Sequence, residues 1–456
     1  MTDETRDVVV VGGGIAGLAA AHALAGRDVV VFESDSRAGG RIWSERRQPY
    51  WMSVGAHIVG DASSPSPMAR LAEELGLELA PLHGDMAALW SNGRLTRAGK
   101  PELLPFRLGL PLAGRASLAV AGLNVRRIYK RALAASPEAF HGAREFDGDY
   151  PTVEGDTELD ERPFGDFLGP THSSVAALFR TAFNRVAAEP REISGHFGGM
   201  LIGSAWMTKR RALTVMGGVG EITNRLAAKL GPRLVTGAAV RAVIPGEDGA
   251  EVHVEQGGVL RRVRARFVVC AAPAHVTREI VRDLPRDKAA ALAAIKYGPF
   301  LVMAATTREA GPMPYDDIYA VAVSGRTLSM LYNTANPLRG QGPRTPGGSF
   351  QMFVGGDRAA ELLSASDARI RERLLSDVHA VYPETRGLIE ETWIRRLPQG
   401  FPFWEPGRLR RQPALARPHK TVFFAGDWTE YPSSNTAARS AQIAARAILR
   451  RLDAKS

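Results

Sequence analysis

The sequence predicts an α/β fold in which a discontinuous parallel-sheet domain is interleaved with a second domain of α+β type. Three observations predict it. The 456 residues exceed what a single hydrophobic core usually organises, so two domains are expected. Residues 8–11 are a continuous β-branched run, the mark of a strand covered on both faces, and a glycine turn, a helix and a second such strand follow it. Segments in that opening style return in the middle and at the end of the chain, separated by stretches of different character. Two domains that are each assembled from separate pieces would alternate in this way.

The elements follow in order. Residues 17–25 are rich in Ala and Leu and read as a helix, and residues 28–33 as a second buried strand. A helix over 66–75 has Met68, Leu71 and Leu75 on one face, with Gly76 placed to end it. From about residue 89 to 211 Pro, Gly and Arg are frequent and the periodicity is helical, as in 116–134 and 174–188. The Asp-, Glu- and Gly-rich stretch 140–162 reads as a solvated excursion. Met216-Gly217-Gly218-Val219-Gly220 turns into a helix over 221–230. Strands at 239–244, 251–256 and 263–272 then form a meander with a tight turn at Gly257-Gly258. A mixed region over 297–385 holds strands at 300–306 and 350–353 and a Pro/Gly-rich loop at 336–348. The chain closes with a strand at 421–425, Gly426-Asp427 and an Ala-rich helix over 436–452. Sorted by style, 1–88, 212–290 and 386–456 belong to the parallel-sheet domain, and 89–211 and 291–385 to the other.

Composition sets limits on function. With 45% hydrophobic and 23% charged residues the chain is ordinarily globular. Its formal charge is +10, from 58 basic and 48 acidic residues. Arg outnumbers Lys heavily, either as a bias spread over the surface or as attraction to an anionic membrane or acidic substrate. The basic and apolar stretch 106–133, with Arg107, Arg115, Arg126, Arg127, Lys130 and Arg131, fits peripheral membrane contact or simply an exposed helix pair. Nucleic acid is not an expected partner, because no basic segment is interleaved with stacking aromatics. The lone Cys270 sits in an apolar run and reads as a small core side chain, so neither disulfides nor thiol chemistry is expected. The N-terminus lacks the basic region and cleavage site of a secretory leader, and no window is apolar enough to span a bilayer, so a cytoplasmic location is expected. No H-E-x-x-H, C-x-x-C or paired-His spacing calls for a metal.

The first motif with chemistry is Gly12-Gly13-Gly14-Ile15-Ala16-Gly17, a G-x-G-x-x-G between a strand and a helix. Gly12 permits the tight turn, Gly14 lets the backbone approach a pyrophosphate, and Gly17 allows close helix–strand packing. Ile15 and Ala16 open the helix whose free N–H groups would face the phosphates. Glu33, with Ser34 beside it, ends the next strand where an acidic group would hold ribose hydroxyls. This constellation says dinucleotide without separating FAD from NAD.

Arg37-Ala38-Gly39-Gly40-Arg41 adds a second glycine pair and an Arg directly after Glu33. Here the sequence resembles the flavin-containing amine oxidase superfamily, which includes amine oxidases, protoporphyrinogen oxidases and phytoene-desaturase-like enzymes. The resemblance continues through Gly55-Ala56-His57, which the family sets against the isoalloxazine ring, and Val240, whose backbone would meet the adenine. It extends to Val268–Pro273 and to Phe423-Phe424-Ala425-Gly426-Asp427-Trp428, where the Asp bonds the ribityl chain or a phosphate. It implies FAD as cofactor, a Rossmann-like FAD-binding domain and a substrate-binding domain. It also implies two-electron oxidation of a C–N or C–C bond by hydride transfer to flavin N5, the protein supplying orientation and electrostatics.

The chain departs from the family at two places. Ser434-Asn435-Thr436-Ala437 stands where M-E-G-A is common, and Asn435 and Thr436 are expected to offer hydrogen bonds to the pyrimidine edge. Many amine oxidases carry a Lys on a strand of the second domain; the expected register puts Met303 there, which bears against efficient use of O2. Phe403 and Trp404 read either as cavity lining or as core. Three functions remain open: an oxidase of a small amine or amide, with O2 as one candidate acceptor; a desaturase- or protoporphyrinogen-oxidase-like enzyme acting on an extended apolar substrate; and a flavin-bound protein without net redox turnover, either an isomerase or a non-catalytic partner. The substrate is a small molecule in each, and no catalytic residue or oligomeric state is assigned.

Overall fold

The computed structural model describes residues 4–62, 66–84, 88–97, 99–136, 148–207, 211–340 and 342–454. The first sheet is built around the strand Glu4–Val11, whose second half is four consecutive valines. Side chains alternate across a pleat, so Val8 and Val10 enter one apolar layer and Val9 and Val11 the other. Such a strand is stable only with cover on both faces. Helices Ile15–Ala23, Gly220–Leu230 and Ser434–Asp453 cover the first face. Helices Ala274–Ile280, Arg286–Ala294 and Arg408–Ala416 cover the second.

The strand order is Leu234–Val235, Val29–Phe32, Glu4–Val11, Val259–Cys270, Ala250–Gln256, Ala238–Pro245. The first four run parallel, and the last two add as an antiparallel meander that turns at Gly257 and Gly258, both with positive φ. Val259–Cys270 is long enough for two partners on one side. Its first half pairs Ala250–Gln256, and its end, Val268–Cys270, pairs the C-terminal strand Val422–Phe424 in parallel.

A second sheet has the order Ile389–Pro402, Tyr297–Thr307, Gly348–Gly355, Met330–Asn333, Ala320–Val323, Ala88–Ser91, Arg94–Arg97. Leu301, Met303 and Ala305 face the helix Asp367–Val381 on one side, while Phe300, Val302 and Ala304 face Met52, Val54 and Ala187 on the other. Because Ile389–Pro402 pairs with Tyr297–Thr307, the chain returns to the first sheet only at Val422–Phe424 and not at residue 386. Beside this sheet lies a helical layer, Leu112–Ala135, Ser173–Phe183 and Gly195–Met207, closed around Phe164, Phe179, Phe197 and Trp404.

Three expected segments differ. Residues 140–147 lie outside the described residues, but the rest of the supposed solvated excursion is tied down. Pro151 and Leu159 are buried, and the buried Asp160 accepts hydrogen bonds from Trp404 Nε1 (2.8 Å) and Leu409 N (2.8 Å). An acidic residue in a polar stretch gave no hint of distant donors. The helix expected over 174–188 stops at Phe183 and gives way to a 3-10 turn, Asn184–Val186, with Ala187 left-handed. The sheet forces this break: a Cβ on Gly355 would lie 2.0 Å from the Asn184 carbonyl oxygen, and one on Gly298 1.9 Å from that of Ala187. The loop expected at 336–348 begins as one helical turn, Asn336–Arg339, and ends inside the strand Gly348–Gly355.

Candidate active site

The glycine turn between Glu4–Val11 and Ile15–Ala23 is held by its surroundings. Gly12 has φ +98°, and a Cβ on Gly17 would sit 1.8 Å from the Gly12 carbonyl oxygen, so only glycine lets helix and turn approach this closely. Gly14 caps the helix, and nothing lies within 4 Å of a Cβ built on it. Ile15 and Ala16, both buried, start the helix, whose first N–H groups and positive dipole end point into that open space. Glu33 reaches across: Oε2 accepts from Gly13 N at 2.6 Å, and Oε1 from Asp35 N at 2.8 Å and Ser34 Oγ at 3.3 Å. The Glu33 backbone bonds Val235 and Ala238, which brings the half-buried Val240 alongside.

The second glycine pair rests on the first. Gly39 N donates to Gly13 O at 2.8 Å, and a Cβ on Gly40 would lie 3.3 Å from Gly14 Cα. Around this contact sit three guanidinium groups. Arg37 donates to the Ala38 and Gly40 carbonyls, and Arg395 to those of Gly40 (2.7 Å) and Arg41. Both flank the Trp43 ring, at 3.7 and 5.2 Å. Burial, and then the nearby Arg37, push the Arg395 pKa down to about 10. The third group, Arg41, pairs with Asp427 at 2.8 Å and donates to the Gly400 carbonyl at 3.1 Å. Burial opposes its charge, but the adjacent Asp427 carboxylate outweighs that and raises its pKa. Residues 386 apart in sequence thus meet at one point. Sequence reasoning missed Arg395; an Arg in a strand with no motif around it carried no signal.

Gly426 N is fixed by Ser440 Oγ at 3.0 Å, and Trp428 Nε1 donates to the Ala272 carbonyl at 3.0 Å, so the two C-terminal motifs touch. The last helix starts at Ser434, capped by Ser433, two residues before the expected start. The side chains of Asn435 and Thr436 are engaged otherwise than expected. Asn435 Oδ1 accepts from Met68 N at 2.9 Å, and Thr436 Oγ1 donates to the Tyr431 carbonyl at 2.6 Å. First-turn side chains found protein partners, and Thr436 N and Ala437 N donate to Ser433, so what residues 435–437 present is the positive dipole end of the helix.

Gly55, Ala56 and His57 leave the strand Tyr50–Ser53 beneath the second sheet. A Cβ on Gly55 would lie 2.2 Å from the Arg41 carbonyl oxygen, and the Gly55 carbonyl accepts from Gln351 Nε2 at 2.8 Å. His57 Nδ1 hydrogen-bonds the Tyr319 hydroxyl, and its ring lies 4.0 Å from that of Tyr332. Burial, then the positive charge of Arg185, push the His57 pKa down to about 3, so this imidazole is neutral near pH 7. Met52, Val54, Ala187, Phe300, Val302 and Ala304 form one buried apolar cluster against the inner face of the second sheet. Met303 does not belong to it. Its side chain points to the opposite layer with Leu301 and Met352, because the true register puts Val302 on the inner face. No residue of the strand Tyr297–Thr307 is a Lys. Of the two roles open to Trp404 and Phe403, both residues take that of core: Trp404 is fully buried and stacks on Tyr431 at 4.4 Å. Tyr319 and Tyr332, paired with His57, were not anticipated.

Cys270 is a buried free thiol whose pKa burial raises, as befits an inert core side chain. Among the described residues no group of three or more His, Cys, Asp or Glu is placed to hold a metal. No helix of the described residues is long and apolar enough to cross a membrane.

A parallel sheet with a glycine turn, an acidic residue at the next strand end, and a cationic cluster joined to a C-terminal Gly-Asp define a dinucleotide-type flavoprotein. The open space over Gly14 and three guanidinium groups around the glycine contact fit a pyrophosphate. Comparison with known proteins gives the family. Residues 15–449 match the family described as flavin containing amine oxidoreductase, and the chain belongs to it. It is an FAD-dependent member. A putative flavin-containing monoamine oxidase, AofH, of Mycobacterium tuberculosis is 30% identical over 288 residues, covering 59% of this chain and 57% of that protein. The flavin-dependent L-tryptophan oxidase RebO of Lentzea aerocolonigenes is 25% identical across 97% of this chain and 98% of its own. The structure of cyclohexylamine oxidase from Brevibacterium oxydans superposes with a TM-score of 0.77 at 20% identity, covering 98% of this chain and 99% of that one.

Proposed function

We propose that the protein oxidises a C–N or C–C bond of a small hydrophobic substrate. When bound, FAD accepts the two electrons as a hydride. In this reading Gly12–Gly17, Glu33, Ser34, Gly39–Arg41, Gly55–His57, Val240, Gly426, Asp427 and the backbone of 435–437 hold the cofactor. The seven strands from 4–32, 234–270 and 422–424 are its platform, and the second sheet with the helical layer holds the substrate. The observation that carries the proposal is the joining of the two glycine turns, Gly39 N to Gly13 O, beside the Arg41–Asp427 pair and with open space over Gly14, in a chain of this family.

The family likeness and the amine- and amino-acid-oxidising relatives support an amine nitrogen beside the broken C–H bond. A second reading, an extended apolar substrate, is favoured by the strand Tyr297–Thr307 holding no Lys, although many amine oxidases carry one on a strand of the second domain. The experiment is anaerobic mixing of the flavin-loaded protein with hydrophobic amines, aromatic amino acids and isoprenoids, followed by air. Bleaching of the visible flavin band by an amine, with peroxide on readmission of air, is the expected result. Bleaching only by isoprenoids would replace the amine reading with the second. Product without bleaching would replace both with isomerisation.

A further inference from the structure

We propose that the short helix Leu104–Arg107 and the outward face of Leu112–Ala135 form a surface that docks on an anionic lipid bilayer. Among the described residues eight large hydrophobic side chains are exposed, and five of them fall in this stretch: Leu103 (47%), Phe106 (74%), Leu112 (82%), Val120 (56%) and Leu123 (68%). Scattered single exposures are ordinary, but a cluster of this kind marks a contact surface.

The order of residues along the helix says what kind. At about 100° per residue, Leu123 lies roughly 20° and Val120 roughly 80° from Leu112, while Arg126, Arg127 and Lys130 lie at roughly −40°, 60° and 0°. The buried Leu118, Ala121, Val125 and Ile128 occupy the opposite side, against the helical layer. One outward face is therefore apolar in its first three turns and cationic in the next two. Among the described residues Arg126, Arg127 and Lys130 have no hydrogen-bond or ion-pair partner, whereas Arg131, one step round, is held by Asp156 and Glu158. Between residues 101 and 135 the only carboxylate is Glu102.

An apolar wedge followed by a basic collar matches the acyl boundary and the phosphate layer above it, at the depth an interfacial helix reaches. An anionic layer complements three cations that have no ion-pair partner among the described residues; a second copy of the same patch offers them no carboxylate. With no membrane-crossing helix among the described residues, the contact is peripheral. The proposal does not depend on the substrate reading above.

The test is flotation of the flavin-loaded full chain with phosphatidylcholine vesicles, with and without phosphatidylglycerol. The protein should float with the anionic vesicles at low salt and lose most of that binding at about 0.5 M salt, where charges are screened within a few ångströms. Arg126→Gln/Arg127→Gln should weaken partition by roughly twenty-five-fold, at about fivefold per cation removed. Phe106→Ser/Leu112→Ser/Leu123→Ser should abolish it, with the flavin spectrum and melting temperature unchanged because all three side chains are exposed. Failure of the unaltered chain to float with anionic vesicles at low salt, or flotation of the triple variant like the unaltered chain, overturns the proposal. So does equal binding to both vesicle types. A lipid-free dimer that the triple variant turns into a monomer would assign the patch to a second copy instead.

Discussion

Arg41 and Asp427 show how single side chains tie the chain's two ends at the cofactor site. The pair is enclosed by Gly400 and the glycine contact, and Asp427 is buried. Removing the carboxylate leaves a guanidinium partly out of water without its counter-charge. Asp427→Ala should therefore cost about 2–3 kcal/mol of stability. It should also be purified with much less flavin per protein, read as the ratio of visible to ultraviolet absorbance. Normal flavin content in Asp427→Ala would remove this residue from the proposed cofactor set. A second residue-scale effect concerns acid. The His57 and His196 pKa values are pushed down to about 3 and about 4, in both cases chiefly by burial. Below pH 6.5 the unfolded chain binds protons that the folded chain refuses, so stability is complete above that pH and drains away as pH falls towards 4. Melting temperature should drop steadily over that window. A His57→Gln/His196→Gln double variant, although less stable at pH 7.5, should show a shallower slope; an unchanged slope would place the acid sensitivity elsewhere.

The glycine turn and the last helix make their predictions as elements. Gly17→Ala forces a methyl into the Gly12 carbonyl and should cost about 3 kcal/mol, seen as a lowered melting temperature with or without flavin. Gly14→Ala meets nothing in the protein, and its φ of −72° suits alanine. That variant should melt within about 1 kcal/mol of the parent and yet lose flavin, because the methyl fills the space left for a ligand. Equal flavin content in Gly14→Ala would contradict the proposed pyrophosphate position. Ser433 caps the helix Ser434–Asp453 through Thr436 N at 3.0 Å, and Ser433→Ala should cost about 1 kcal/mol. These elements differ in how far the sequence announced them. The turn after Glu4–Val11 was legible because strand, glycines and helix are adjacent in the chain. The break at Asn184–Ala187 was not, since its cause is the pressure of Gly298 and Gly355 from a strand pair more than a hundred residues away.

At the scale of the molecule, the cofactor would touch segments from both ends and the middle of the chain, so its binding and the fold should be coupled. A ligand bound only by the folded state and present at about a hundredfold its dissociation constant adds about 2.7 kcal/mol. Protein stripped of flavin should accordingly melt several degrees lower and recover on adding FAD; an unchanged melting temperature would mean that the segments assemble without it. The alternation of parallel-sheet and other segments came from hydrophobic patterning alone. The dinucleotide turn came from the glycine spacing and the acidic residue from its place at the next strand end, because each is a local property of residue order. The meeting of Arg37, Arg41 and Arg395 over the glycine contact, and the placing of Val302 instead of Met303 on the inner face, were decided only in three dimensions. The return of Ile389–Pro402 to the second sheet was decided there as well. Strand register and charge clustering depend on partners distant in sequence, and one residue of slip turns every side chain to the other face.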